Sequence, residues 1–204
     1  MKTPLTFFII ISFLLGFSQQ HPKVDFTESF ASLEINPVKQ NVWGNIEYRF
    51  TVNELLDTIR IDAHKMTFDK VKVNGNDVQF KVTDKEFLLF EGYRKGENIL
   101  TFSYEAFPVQ AMYFVQKNHY EDVQIWTQGQ GKYTSHWFPS FDNVNEKIIF
   151  NLDITFNKDY TVLANGNLIS KIEKENDITW KYQMHKPMSS YLLMLAIGRF
   201  EKQS

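Results

Sequence analysis

From about Phe26 onward, apolar residues alternate with polar ones instead of recurring every three or four positions, and Val, Ile, Phe, Tyr and Trp dominate the apolar set. A period of two sends successive side chains to opposite faces of an extended backbone, and branched or aromatic side chains suit a pleated surface. The chain is thereby constrained to a β-architecture. Ile59, Ile61 and Ala63 alternate with Arg60, Asp62 and His64, which assigns the first three to a buried face and the others to solvent. Leu100, Phe102 and Tyr104 share one face of another strand. Phe150, Leu152, Ile154 and Phe156 share a face of a longer one, with Asn151, Asp153 and Thr155 opposite.

The turns carry their own signals. Asn74-Gly75-Asn76 separates residues 70–73 from residues 78–82, and Asn-Gly supplies the positive φ values of a tight hairpin. Residues 160–164 run into Asn165-Gly166-Asn167, and Ile178, Trp180 and Tyr182 alternate after the polar turn 173–177, so these segments read as further hairpin arms. Residues 191–197 are an unbroken apolar run ending at Gly198, which predicts a strand covered on both faces, a short buried helix being the alternative. No repeat, low-complexity tract or linker interrupts the pattern. The expected fold is one all-β, mostly antiparallel domain built from two packed sheets.

With 43% hydrophobic and 16% aromatic residues in 204, the chain has material for a substantial core and is not a disordered segment. Lys and Arg total 22 against 24 for Asp and Glu, and the resulting charge of −2 gives no footprint for nucleic acid or anionic lipid. The absence of cysteine excludes disulfides, thiolate metal sites and a cysteine nucleophile. Any metal would need His and carboxylate ligands. His21, His64, His119, His136 and His185 show no three- or four-residue spacing that would place two imidazoles on one helical face, so no metal ligand is assigned.

Met1-Lys2-Thr3-Pro4 precedes an apolar run from Leu5 to Leu15, and Gly16 and Ser18 stand at −3 and −1 of a cut before Gln19. Residues 1–18 read as a secretory signal peptide. An uncleaved anchor is the alternative, against which the run falls short of the roughly 20 residues a spanning helix needs. A short segment 19–25 and a β-domain over 26–204 follow. The mature product is expected to be exported, periplasmic or secreted, with no membrane association after cleavage.

Ser135, His136, Ser140 and Asp142 have the residue types of a hydrolytic triad, but a nucleophile and its base usually converge from separate elements, and the crowding argues against that role. No nucleophile elbow, phosphate-binding loop or dinucleotide fingerprint occurs. Carboxylate pairs for glycoside hydrolysis are uninformative among 24 acidic residues. The densest unusual segment runs from Ile125 to Asp142 and holds Gln128 and Gln130 beside Gly129 and Gly131. Glycine lets backbone approach a ligand and an amide both donates and accepts, so a polar ligand fits there. On physics alone, a glycine-containing turn between strands with exposed glutamines is the favoured reading. Trp137-Phe138-Pro139 reads as a buried corner.

Thr127-Gln128-Gly129-Gln130 followed by Phe138-Pro139-Ser140-Phe141-Asp142 resembles the T-Q-x-[EQ] loop and the aromatic-Pro-x-aromatic-Asp element of the aminopeptidase N family of zinc metallopeptidases. Glu146 to Phe150, Val162-Leu163-Ala164-Asn165-Gly166, and Met188 to Leu193 running to Ile197-Gly198-Arg199-Phe200 follow in that family's order, so the resemblance spans about half the chain. It departs at Ser135, where an arginine is frequent, at Ser140, where a cysteine is frequent, and at Asn143-Val144, where Glu-Pro is frequent.

The resemblance implies a saddle-shaped, mostly antiparallel N-terminal domain packed on a separate catalytic domain. By position Gln130 inherits the role of holding the free α-amino group of a peptide substrate, and Gln128 lines the same site. An amide in place of the frequent glutamate forgoes the charge-assisted part of that hydrogen bond. The family's zinc-binding H-E-x-x-H and its G-x-M-E-N loop are absent from residues 1–204. The resemblance therefore implies no catalytic residue and no cofactor in this chain, zinc belonging to the full-length family, and a chain truncated before the catalytic domain and inactive alone. The competing expectation is a secreted, non-catalytic β-sandwich that binds carbohydrate or protein through exposed aromatics. A hydrolase using a carboxylate pair is a third.

Overall fold

The structure is a computed structural model that describes residues 22–117 and 122–201. The expected signal peptide, residues 1–18, lies outside the described residues. Strand β1 (Val24–Asn36) begins two residues before the expected edge of the domain and forms a long hairpin with β2 (Asn41–Val52). Six strands follow: β3 (Ile59–Asp62), β4 (Thr67–Val73), β5 (Asn76–Asp77), β6 (Phe80–Val82), β7 (Glu86–Leu89) and β8 (Gly96–Ala106). Next are β9 (Met112–Lys117), β10 (Asp122–Thr127), β11 (Lys147–Asn157) and β12 (Thr161–Ala164). The last four are β13 (Asn167–Lys174), β14 (Asp177–Gln183), β15 (Met188–Ser189) and β16 (Leu195–Gly198). Two 3-10 turns, Thr134–His136 and Ser190–Leu192, are the helical pieces among the described residues.

The fold is all-β and mostly antiparallel, but the described residues form three sheets where the alternation suggested two. Nine strands form one sheet in the order β13-β14-β11-β1-β2-β8-β4-β5, with β15 on β11. A four-stranded sheet runs β12-β16-β10-β9, and a three-stranded one β3-β7-β6. Among the described residues the one parallel pairing is β1 with β11, from Glu28 opposite Ile149 to Glu34 opposite Thr155. Register carries a buried row across five strands of the large sheet: Tyr182, Leu152, Ala31, Ile46 and Phe102 stand opposite one another in turn. Directly opposed side chains share a face, so the alternation seen strand by strand becomes one continuous apolar surface.

Three local expectations change. The Asn74-Gly75 turn forms, with φ of 53° and 84°, but its second arm lasts only through Asp77. Phe80–Val82 instead pairs with β7, where Phe80 stacks on Phe87 with ring centroids 5.5 Å apart. The arm starting at residue 161 does not pair with its successor either: β12 joins β16 while β13 joins β14. Gly166 (φ 89°) makes this change of sheet, and a Cβ there would strike the Gln183 carbonyl. Finally, residues 191–197 are not a strand covered on both faces. The Ser190 carbonyl accepts from the Thr134 hydroxyl (2.9 Å) and the Leu193 N–H (2.9 Å), which bends the chain into a 3-10 turn before β16. Leu193, Leu195 and Ile197 are buried, whereas Tyr191, Leu192 and Met194 face outward.

Glu146, just before β11, is half-buried and accepts the Phe26 N–H at 2.7 Å, where β1 bulges against β2. Burial, aided by Asp25 and opposed by that hydrogen bond, pushes its carboxyl up to about 7. The folded state therefore keeps the proton over a range where the unfolded chain has released it, so this group's stabilising contribution is full below about pH 4.5 and is lost as pH rises through 7. Glu146→Gln keeps an acceptor for Phe26 without a charge. It is expected to raise stability at pH 8 by about 1–2 kcal/mol, allowing for solvent screening, and to change little at pH 4. Urea unfolding at the two pH values checks this.

Candidate functional site

The segment joining β10 to β11 lies where the three sheets meet, and each sheet grips a different part of it. From the four-stranded sheet, Thr127 exchanges bonds with Leu195, its hydroxyl accepting the Leu195 N–H at 2.9 Å. The Gln128 N–H donates to the Ala111 carbonyl at 2.7 Å. From the nine-stranded sheet, the Tyr48 hydroxyl donates to the Pro139 carbonyl and the Tyr104 hydroxyl to the Trp137 carbonyl at 3.1 Å. From the three-stranded sheet, Asp62 and Ser140 exchange both backbone hydrogen bonds at 2.9 Å, and the Asp62 carboxylate accepts the Asp142 N–H at 2.7 Å.

These grips explain the local sequence. Trp137 and Phe138 are fully buried, as a corner should be, and Phe138 meets Tyr104 and Phe150 edge-on. Phe141 packs on Phe26 with centroids 4.5 Å apart. Tyr48 and Tyr104 lie in the core, where burial holds both phenols well above their ordinary range, so they act as neutral donors. Tyr48→Phe leaves the Pro139 carbonyl without its donor and is expected to cost about 1–2 kcal/mol in a denaturant melt.

Gln128 and Gln130 sit at the exposed rim of this anchored segment. Between them Gly129 is buried; a Cβ there would meet the Thr134 hydroxyl and come within 2.7 Å of the Tyr191 carbonyl. Gly131 and Lys132 take positive φ values of 90° and 71°, closing the turn that brings the Tyr133 N–H to the Gly129 carbonyl at 3.1 Å. The structure thus brings the two sequence-nominated amides onto one solvent-facing loop whose base is fixed.

The triad residue types do not form a relay. The Ser135 hydroxyl is fully buried and donates directly to Asp142 Oδ1 at 3.0 Å, with no imidazole between them. This is the local arrangement at the position where the resembling family often has arginine. Burial and the Asp62 charge raise the Asp142 carboxyl, while Ser135, His64 and Lys132 oppose the rise. His136 Nε2 faces Gln110 Nε2 at 2.8 Å, and its ring stacks on His64 with centroids 4.1 Å apart. Burial, His64 and Lys65 lower its pKa, favouring the neutral ring. Alternation over residues 59–64 assigns Asp62 and His64 to solvent but conceals this contact, because it arises only when the segment around β3 meets the loop.

Among the described residues, no group of three or more His, Asp or Glu side chains is disposed to hold a metal ion.

An all-β domain of three sheets converging on a clamped, amide-bearing loop is the class of protein that this geometry defines. Residues 26–192 match the Peptidase M1 N-terminal domain, and the chain belongs to that family. It is 27% identical to leucyl aminopeptidase of Saccharolobus solfataricus over 148 residues, which is 72% of this chain and 19% of that protein. It is 25% identical to aminopeptidase N of Lactobacillus helveticus over 178 residues, 84% of this chain and 21% of the relative. The chain therefore spans about a fifth of the length of these relatives. Among solved structures, the M1 zinc metallopeptidase from Deinococcus radiodurans superposes with a TM-score of 0.76 at 16% identity, over 86% of this chain and 42% of that one. The E323A mutant of that protein has been solved bound to a Tyr-Ser-Ala substrate.

Proposed function

We propose that this chain is the substrate-orienting N-terminal domain of an exported zinc aminopeptidase, and that it has no peptidase activity by itself. The carrying observation is the loop: Gln128 and Gln130 are exposed on a segment tied into all three sheets, so a peptide's terminal ammonium meets acceptors whose backbone is already fixed. Prior ordering reduces the entropy lost on binding. Gln130 accepts from the α-ammonium of a peptide whose scissile bond is held by a catalytic zinc domain, and Gln128 lines the same opening. The zinc chemistry of that family polarises a carbonyl and activates a water, and its H-E-x-x-H motif does not occur in residues 1–204.

Two measurements test this. In an enzyme carrying the catalytic domain together with this one, Gln130→Ala is expected to lower kcat/KM for unblocked peptides by about 1–2 kcal/mol. An unchanged value rejects the role. Residues 1–204 alone, purified free of host peptidases, are expected to release no N-terminal amino acid; release abolished by a chelator overturns the inactivity. Export is checked by the mature N-terminus, expected at Gln19.

A further inference from the structure

We infer that His136 is a positioning residue for the amide loop: as the neutral imidazole it ties down both ends of the turn that carries Gln128 and Gln130, and taking up a proton releases that turn. The inference rests on the function proposed above and adds a control on the same loop. One tie runs through residues 107–111. The Gln110 amide nitrogen stands 2.8 Å from His136 Nε2, and the carbonyl of the next residue, Ala111, accepts the Gln128 N–H at 2.7 Å. The other tie runs along the loop itself. The His136 N–H donates to the Tyr133 carbonyl and the Tyr133 N–H to the Gly129 carbonyl, both at 3.1 Å, while the Tyr133 ring meets the imidazole edge-on with centroids 5.9 Å apart.

An amide nitrogen only donates, so the bond from Gln110 requires a lone pair on His136 Nε2 and puts the ring proton on Nδ1. Protonation at Nε2 sets two donors against each other at hydrogen-bond distance, and the Gln110 side chain has to turn or withdraw. Its neighbour is poised to follow. Ala111 is buried with a φ of 68°, a left-handed conformation that residues with a Cβ avoid and that persists only while its surroundings enforce it. Relaxing it swings the carbonyl that holds Gln128. The groups around the ring oppose its charged form. His64, two residues past β3, stacks on it at 4.1 Å with the planes 13° apart, and the His64 N–H is fixed to the Ser135 carbonyl at 2.8 Å. A second proton on this pair therefore sets two like charges face to face. Lys65 adds another positive charge from the same segment, the loop contributes Lys132 and the Tyr133 phenol, and residues 107–111 hold no ionisable side chain. The carboxylates of the junction are engaged elsewhere: Asp142 accepts the Ser135 hydroxyl at 3.0 Å and faces His64 and Lys132, and Asp62 accepts the Asp142 N–H at 2.7 Å. The ring thus stays neutral to below its ordinary value of 6.5, and the loop's anchoring is full above that pH and lost as pH falls through the lowered pKa.

The test is an NMR titration of the 204-residue chain from neutral to acid pH, following the His136 ring and the backbone amides of Gln128, Gly129, Gln130 and Gly131. The amides are expected to shift with the midpoint of His136, below pH 6.5. Gln110→Glu supplies an acceptor for the protonated ring and should raise both midpoints together by about one unit or more. His64→Phe keeps a stacked ring without its charge and should raise both by less; it carries the test if Gln110→Glu does not fold. Loop amides that ignore the His136 titration overturn the inference, as does a loop midpoint that stays fixed while the His136 pKa rises. A loop midpoint that vanishes in Glu146→Gln assigns the movement to that carboxyl and also overturns it. In an enzyme carrying the catalytic domain, the acid limb of KM for unblocked peptides should move upward in the same variants while kcat keeps its profile, and a limb that stays put in both rejects the control. Gln130→Ala separates the two claims: unchanged kcat/KM with coupled amides rejects the substrate contact alone, whereas a lowered kcat/KM with amides indifferent to His136 rejects the positioning alone.

Discussion

Trp137→Ala is expected to destabilise the domain by about 3–5 kcal/mol, the range for truncating a fully buried tryptophan. The indole is wholly enclosed, and its neighbour Phe138 contacts Tyr104 and Phe150 from the large sheet. The carbonyls of residues 137 and 139 are held by Tyr104 and Tyr48, so the backbone has little freedom to collapse into the space left. A cavity that cannot close carries the full penalty. Guanidinium unfolding measures the loss, and Trp137→Phe should recover much of it by restoring aromatic volume. A loss below about 1 kcal/mol would mean that the corner repacks, contrary to its threefold anchoring.

Gly129→Val is expected to cost about 3 kcal/mol, the upper end of the range for overpacking a tight site, and to remove the substrate-orienting role with it. Even a Cβ at this position approaches the Tyr191 carbonyl to 2.7 Å and overlaps the Thr134 hydroxyl, which itself bonds the Ser190 carbonyl at 2.9 Å. Relief requires either moving the 3-10 turn at 190–192 or lifting the loop, and lifting displaces Gln128 and Gln130 together. In a catalytically complete enzyme the variant should therefore lose more kcat/KM than Gln130→Ala. Equal losses would show that the loop's placement contributes nothing beyond the one amide.

The buried faces of β3, β8 and β11 were legible because a pleat imposes its period on every residue, whatever strand lies beside it. The corner at 137–139 was legible for a similar reason: two large aromatics before a proline have few places to go other than a core. The loop glutamines were legible as a pair, by their flanking glycines and by resemblance to a family motif. The junction around them was not. Nothing in the order of residues places Asp62 against Asp142, or His64 on His136, because those contacts span more than 70 positions and depend on where β3 docks.

Strand character, the Asn-Gly turn and the family of the domain are properties of short segments, set by side-chain shape and backbone preference within a few residues. Partner choice is a different kind of quantity. Whether β12 joined β13 or β16, whether β6 stayed with β5 or left for β7, and whether β1 lay parallel to β11 depended on which pairing buried the most apolar surface once all strands competed for the same core. That competition is settled by the whole chain, and so the three-sheet junction and the raised Glu146 carboxyl came into view only with the tertiary structure.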